Sequence, residues 1–314
     1  MTYTKNRIDF NNLNSFYNMS RFIFITDLHL QNSSVSRTGD PLQDCIDKLR
    51  WVVSKANADN SILLIGGDVF DRASPSYEVF NAFVDVLLEA TVPVYAIKGN
   101  HDMLFRSDAN DKKCALSALY KSGLLLSLDD KTVDFGDCVL TNELPLVTRS
   151  KPQVAMFHGF LNTPDDKRFT VKFQDLLCDS DSVVLLGHDH VDYGVTVLSE
   201  FVSVVRPGSL FRNKRDASSD RTPCIVKIDV SDGRLLVSRE EVPCRPWSEV
   251  ARESKVRISD SESDIDYHGL IEQLRSSQCT CRSFMDIVRS VTTEEVSAYL
   301  EGILSESKLN SKSF

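Results

Sequence analysis

The chain has 314 residues, 42% hydrophobic and 26% charged, enough apolar material for one large domain of about 240 residues plus an appendage. Its formal charge of −9 argues against a protein that coats nucleic acid with its whole surface, while leaving room for a local basic groove beside bound cations. No apolar run approaches the roughly 20 residues that span a bilayer, and the N-terminus lacks a signal-peptide pattern, so the reading is a cytoplasmic protein with no membrane contact.

Residues 1–20 are polar and without period, a flexible leader in which Met19 is a candidate alternative start. The apolar, β-branched run 22–25 reads as a strand buried on both faces. After it, Asp40-Pro41 reads as an N-cap with proline at the first helical position, and Leu42, Cys45, Ile46, Leu49, Val52 and Val53 recur at helical spacing. Strand and helix alternate again through 62–65, a helix opened by Ser74-Pro75 and carrying Val79, Phe80, Phe83 and Val84, and a strand over 92–97. Such alternation predicts parallel βαβ units with right-handed crossovers.

A helix over 113–121 ends at Gly123, and short segments at 132–134 and 138–142 then suggest a second, partly antiparallel sheet. Beyond His190 the chain is strand-rich: 194–198, 201–206, then 224–230 and 235–242 joined by a Ser231-Asp232-Gly233 hairpin turn. The fold class expected is α/β, two sheets packed as a sandwich with helices outside, over 21–244. Residues 245–266, with Asp260, Glu262, Asp264 and Asp266 unbalanced by any base over 258–266, read as a solvated linker. Residues 267–314 carry three short amphipathic helical patterns and are expected to be a partner-binding tail. Eight cysteines without a CxxC pair point to reduced core thiols rather than a disulfide framework.

Five apolar runs end on metal-ligand residue types: Asp27 and His29, Asp68, Asn100 with His101, His158, and His188 with His190. Ligands bind at the carboxyl ends of strands in α/β sheets, so these ends converge on one point. Any single one reads equally well as a turn with an N-cap. Together they use five of the six histidines, a coincidence that turn chemistry does not produce. Carboxylate, imidazole and amide oxygen at Asp27, His29, Asp68, Asn100, His158, His188 and His190 are more ligands than one ion needs. Two divalent ions sharing a carboxylate use them all, and mixed O/N ligation without thiolate favours Mn2+, with Mg2+ or Fe2+ as alternatives.

DLH, GDVFD, GNHD, HG and GHDH, in this order over 21–243, resemble the motifs of the calcineurin-like metallophosphoesterase superfamily. The resemblance implies one ion held by Asp27, His29, Asp68 and His190, a second by Asp68, Asn100, His158 and His188, with His101 as catalytic acid and Asp71 as its orienting partner. GDVFD with GNHD, and PGSLFR over 207–212, is similar to SbcD-type repair nucleases and their phage counterparts, the recombination endonuclease subunits. That branch implies a DNA exo/endonuclease working with an SMC-like ABC ATPase, with a homodimer also open. A phosphatase or nucleotide hydrolase is the alternative, and an inactive scaffold the third reading. Arg206, Arg212, Lys214, Arg215 and Arg221 against Asp216 and Asp220 form a basic stretch expected to track phosphates; the bland reading is an idle solvated loop.

Overall fold

The computed structural model describes residues 19–161, 170–212 and 220–252. Its frame is two six-stranded sheets. In the first, β1 (Arg21–Ile25), β2 (Ile62–Ile65), β3 (Val94–Ala96) and β4 (Leu126–Ser127) run parallel in sequence order. In the second, β6 (Val139–Thr141), β7 (Gln153–His158), β10 (Ser182–Gly187) and β12 (Val202–Arg206) are parallel, and β5 (Thr132–Asp134) and β11 (Gly194–Val197) close its edges antiparallel. A two-stranded ribbon, β8 (Phe160–Leu161) with β9 (Thr170–Val171), leaves the end of β7. The sandwich expected from the sequence is therefore the fold.

The period of two along each strand divides its side chains between two cores. On β1, Phe22 and Phe24 turn to the second sheet and pack with Leu64, Tyr95, Leu140, Met156 and Leu185. Ile23 and Ile25 turn the other way, onto α1 (Pro41–Asp59), α2 (Tyr77–Glu89) and α3 (Ala115–Ser122). The Asp40 carboxylate caps α1 by accepting the Gln43 N–H, and α3 stops at Gly123 with φ 72°, a left-handed cap that needs no Cβ. Ala155, Phe157, Val184 and Val204 form a third apolar cluster on the outer face of the second sheet.

The sequence did not say which sheet the late hairpin joins. β13 (Cys224–Ser231) pairs antiparallel with β1, carrying β14 (Arg234–Glu241) on its far side, so the end of the domain closes the edge of its first strand. Asp232 and Gly233, at φ 52° and 72°, form the two-residue turn. The linker expected from residue 245 does not begin there: α4 (Trp247–Val250) buries Trp247 and Val250, and Thr38 and Arg252 donate backbone bonds to Val250 and Ser36. Of the expected leader 1–20, Ser20 is buried and donates to Asp137, while residues 1–18 and the tail 267–314 lie outside the described residues.

Leu64 is fully buried in the inter-sheet core. Leu64→Ala should therefore lower unfolding free energy by about 2–5 kcal/mol, read as a lower urea midpoint at unchanged slope.

Candidate metal centre

Five loops that leave β1, β2, β3, β7 and β10 meet at the ends of the strands. Four of the residues they deliver have left-handed backbones: Asp27 (φ 54°), His29 (43°), Asp68 (50°) and His188 (89°). Non-glycine residues adopt this region sparingly, and a cluster of them marks a site over-determined by its surroundings. The bonds that hold them are visible. Asp27 and His29 donate their N–H to the carbonyls of Gly67 and Asp68, so the first two loops run side by side. Asp102, last residue of GNHD, is buried and accepts the N–H of Val69, Phe70 and Gly99, tying the second loop to the third. Gly99 permits that approach: a Cβ there would lie 2.1 Å from Asp68 Oδ1.

Around His158 Nε2 stand Asn100 Oδ1 at 3.2 Å, His188 Nδ1 at 3.2 Å and Asp68 Oδ2 at 3.4 Å. Around His29 Nε2 stand His190 Nε2 at 2.9 Å, Asp68 Oδ2 at 3.6 Å and Asp27 Oδ1 at 3.9 Å. Ligands at right angles on bonds of about 2.1 Å lie about 3 Å apart, so both groups have the spacing of a coordination shell. Asp68 Oδ2 belongs to both. His158 Nδ1 donates to the Gly66 carbonyl at 2.8 Å, which turns its Nε2 toward the group. The structure thus brings all seven sequence candidates together, in the two groups the resemblance implies.

Electrostatics supports a cation here. Asp27 is fully buried, and burial pushes its carboxyl up even though His158 and His190 oppose this. Its oxygens accept the Thr26 hydroxyl and the His188 N–H, and no Lys or Arg pairs with it among the described residues. Burial lowers His29 to about 3 and His188 to about 4, so both imidazoles are neutral and hold lone pairs. His158 is the exception: burial lowers it, but Asp68 and Asp27 win and raise it to about 9. Asp68 responds in kind: burial raises it, yet His158 and His29 carry it well below the usual carboxylate range. A protonated His158 beside Asp68 is a proton standing where a cation fits, and the donor set of oxygen and neutral imidazole suits a divalent ion.

His101 lies at the margin. Its ring meets His29 edge-on with centroids 4.7 Å apart, and its Nδ1 is 2.7 Å from the Asp71 backbone carbonyl. The partner expected for it was the Asp71 carboxylate, but the bond comes from the main chain, and that carboxylate is 3.9 Å from His29 Nδ1.

Arg212, expected on a phosphate-tracking rim, is buried instead, its guanidinium donating to the carbonyls of Arg221 and Arg245. Arg221 likewise reaches the carbonyls of Ser209 and His190. Arg206 stays half-buried over the Tyr193 ring at 4.2 Å, and Lys214 and Arg215 lie outside the described residues. The PGSLFR segment is a buttress: Ser209 donates to the His190 carbonyl, Leu210 to that of Thr26, and a Cβ on Gly208 would meet the His190 carbonyl oxygen at 2.5 Å. Asp102, Thr26 and this buttress went unassigned in the sequence. Asp102 alone carried a signal, as a carboxylate inside a ligand motif.

Two stacked six-stranded sheets with two ligand groups sharing one carboxylate define a metallophosphoesterase-type hydrolase of phosphoesters. Residues 20–211 match the family described as calcineurin-like phosphoesterase, more than half the chain, and the chain belongs to that family, which uses a dinuclear metal centre. Among curated proteins none matches. Among solved structures the chain is similar to a conserved uncharacterized protein of Streptococcus pneumoniae, described as a predicted phosphoesterase, at 13% identity over 75% of this chain and 97% of that one, with a TM-score of 0.38. A 5'-nucleotidase precursor from Thermus thermophilus gives 13% identity over 72% and 54%, with a TM-score of 0.44. Likeness at this level says nothing of substrate.

The raised His158 generates a prediction with a definite sign. A group raised in the folded state stabilises fully below its unfolded value of 6.5, and loses that contribution as pH climbs through about 9. Metal-free protein should therefore lose stability between these values. Metal uptake at pH 7 should release a proton, affinity rising roughly tenfold per pH unit, seen as buffer-dependent heats in calorimetry. Metal uptake without proton release would show His158 neutral.

Proposed function

We propose that the chain is a two-metal-dependent DNA exo/endonuclease, cleaving phosphodiester bonds in recombination or double-strand-break repair with an SMC-like ABC ATPase as partner. One observation favours nucleic acid over a small phosphoester: an aromatic ring stands beside the centre at the solvent boundary. Phe160, 37% exposed, sets its ring 4.3 Å from that of His188, and Tyr193, 48% exposed, lies beneath the Arg206 guanidinium. Bases on either side of a scissile phosphate need such stacking faces, and the stacking is tolerant of sequence. The motif likeness of GDVFD, GNHD and PGSLFR to repair nucleases points the same way.

When bound, a pair of divalent ions supplies a nucleophilic water at neutral pH and neutralises phosphate oxygens. The chain's own residues do the rest. Asp27, His29 and His190 would hold one ion, Asn100, His158 and His188 the other, and Asp68 would fix their separation. His101, anchored by its Nδ1–H on the Asp71 carbonyl, leaves Nε2 to give a proton to the departing oxygen. Arg206, with Lys214 and Arg215, would meet the flanking phosphates. Mn2+ is the proposed ion on donor chemistry. The tail 267–314, with its apolar stripes, is proposed to grip the ATPase by helix-in-groove contact.

His101→Ala should keep metal content and DNA affinity while slowing hydrolysis by roughly 10²- to 10⁴-fold, the worth of a positioned acid. Loss of metal in that variant would make His101 a ligand.

The substrate is tested by giving metal-free protein labelled linear and hairpin DNA, then adding manganese or magnesium separately. Cleavage should appear with metal and be lost by orders of magnitude in Asp68→Asn. Rapid turnover of small phosphoesters with DNA left intact would overturn the nuclease reading.

A further inference from the structure

A second concentration of charge lies away from the metal centre, where the loop before α1 meets α1, the end of PGSLFR and the segment that follows β14. A cavity of about 330 Å³ opens there, lined by Arg37, Asp44, Asp47, Lys48, Arg212 and Arg245 among others. None of the candidate metal ligands lines it. Among the described residues that line it, four cationic groups stand with two carboxylates, a formal excess of two positive charges in a chain of net −9.

Three of those cations are buried: Arg37 is 2% exposed, Lys48 4% and Arg212 4%. Buried cations are ordinarily paired one to one with carboxylates. Among the described residues Arg37 shares Asp44 with Arg245, the carboxylate accepting from Arg37 on one oxygen and from Arg245 on the other at 2.7 Å. Arg37 and Lys48 stand over the Phe211 ring, 4.6 and 5.2 Å from its centroid, a contact that orients both but accepts no hydrogen bond. Lys48 Nζ and Arg37 Nε, both fully sheltered, have no hydrogen-bond partner among the described residues. Burial brings Lys48 down to about 8, so the ammonium is still charged at neutral pH. Arg245, half exposed, marks the way in.

We propose that this cavity is a binding site for a phosphate group. A dianionic phosphate matches the excess charge, and its oxygens supply the acceptors that Lys48 Nζ and Arg37 Nε lack. The occupant is either free phosphate or the terminal phosphate of a nucleotide.

The test uses the full-length protein held metal-free in chelator, so that the metal centre takes no phosphate. Calorimetric titration with inorganic phosphate should show one site per chain, and phosphate should raise the unfolding temperature. Lys48→Met, which keeps the apolar stem, should weaken binding by roughly tenfold or more and abolish the temperature shift. Should that variant fail to fold, Arg245→Gln at the mouth should weaken binding in the same direction. A nucleoside 5'-monophosphate run in parallel distinguishes the sources, and tighter binding of either supports a phosphate site. Absence of binding to the unaltered protein, or equal binding by Lys48→Met and Arg245→Gln, would overturn the proposal.

Discussion

Two carboxylates, Asp27 and Asp68, sit buried within a few ångströms of the same imidazoles, and no lysine or arginine pairs with either among the described residues. Isolated buried charge of this kind is expensive, so the protein must surround it with partial or exchangeable positive charge. It does so with main-chain N–H groups, His188 on Asp27 and His101 on Asp68, and with imidazoles whose protonation yields to a better cation. Each partner is delivered by a different loop. The requirement of two anions therefore fixes where five strands must end, and the parallel order of β1 to β3 and of β7 and β10 is the arrangement that brings those ends to one edge.

Holding the loops there stores strain, and the strain is placed beside its compensation. Asp27, His29, Asp68 and His188 occupy left-handed backbone conformations that cost each of them stability, of order 1–3 kcal/mol. Against this stand the Asp102 carboxylate, with three main-chain donors, and the ladder that continues β1 into the second loop. Asp102 is buried and raised to about 7, burial first and the nearby Asp68 second, so it trades easy ionisation for structural bonds. A carboxylate adjoining a metal centre need not be a ligand; this one shapes the ground on which the ligands stand.

The strands were legible because burial on both faces leaves unbroken apolar runs, and the candidate ligands were legible because such runs end abruptly on Asp, Asn or His. That logic covers Phe22 to Ile25, Ile62 to Ile65 and Val183 to Leu186, and it placed all seven metal candidates. It failed where the answer depends on who sits next to whom. Nothing in residues 224–241 states that they return to β1 rather than to the second sheet. Arg212 reads as surface charge in a basic run, yet its position after a buried Phe211 turns it inward, where carbonyls receive it. Asp71 reads as a side-chain partner for His101 and serves through its carbonyl, a distinction that only backbone geometry makes.

Arg212 and Arg221 turning inward alters where a chain of net −9 can present positive charge. Their charges are spent on carbonyls, so the rim keeps fewer cations than the composition of 206–221 suggests. The attraction must then come mainly from the centre itself. A pair of divalent ions held there would bring four positive charges against the two carboxylates of Asp27 and Asp68, and would reverse the local sign in a site walled by low-dielectric sheets. Phosphate recognition and phosphate chemistry would in this way fall on the same few atoms.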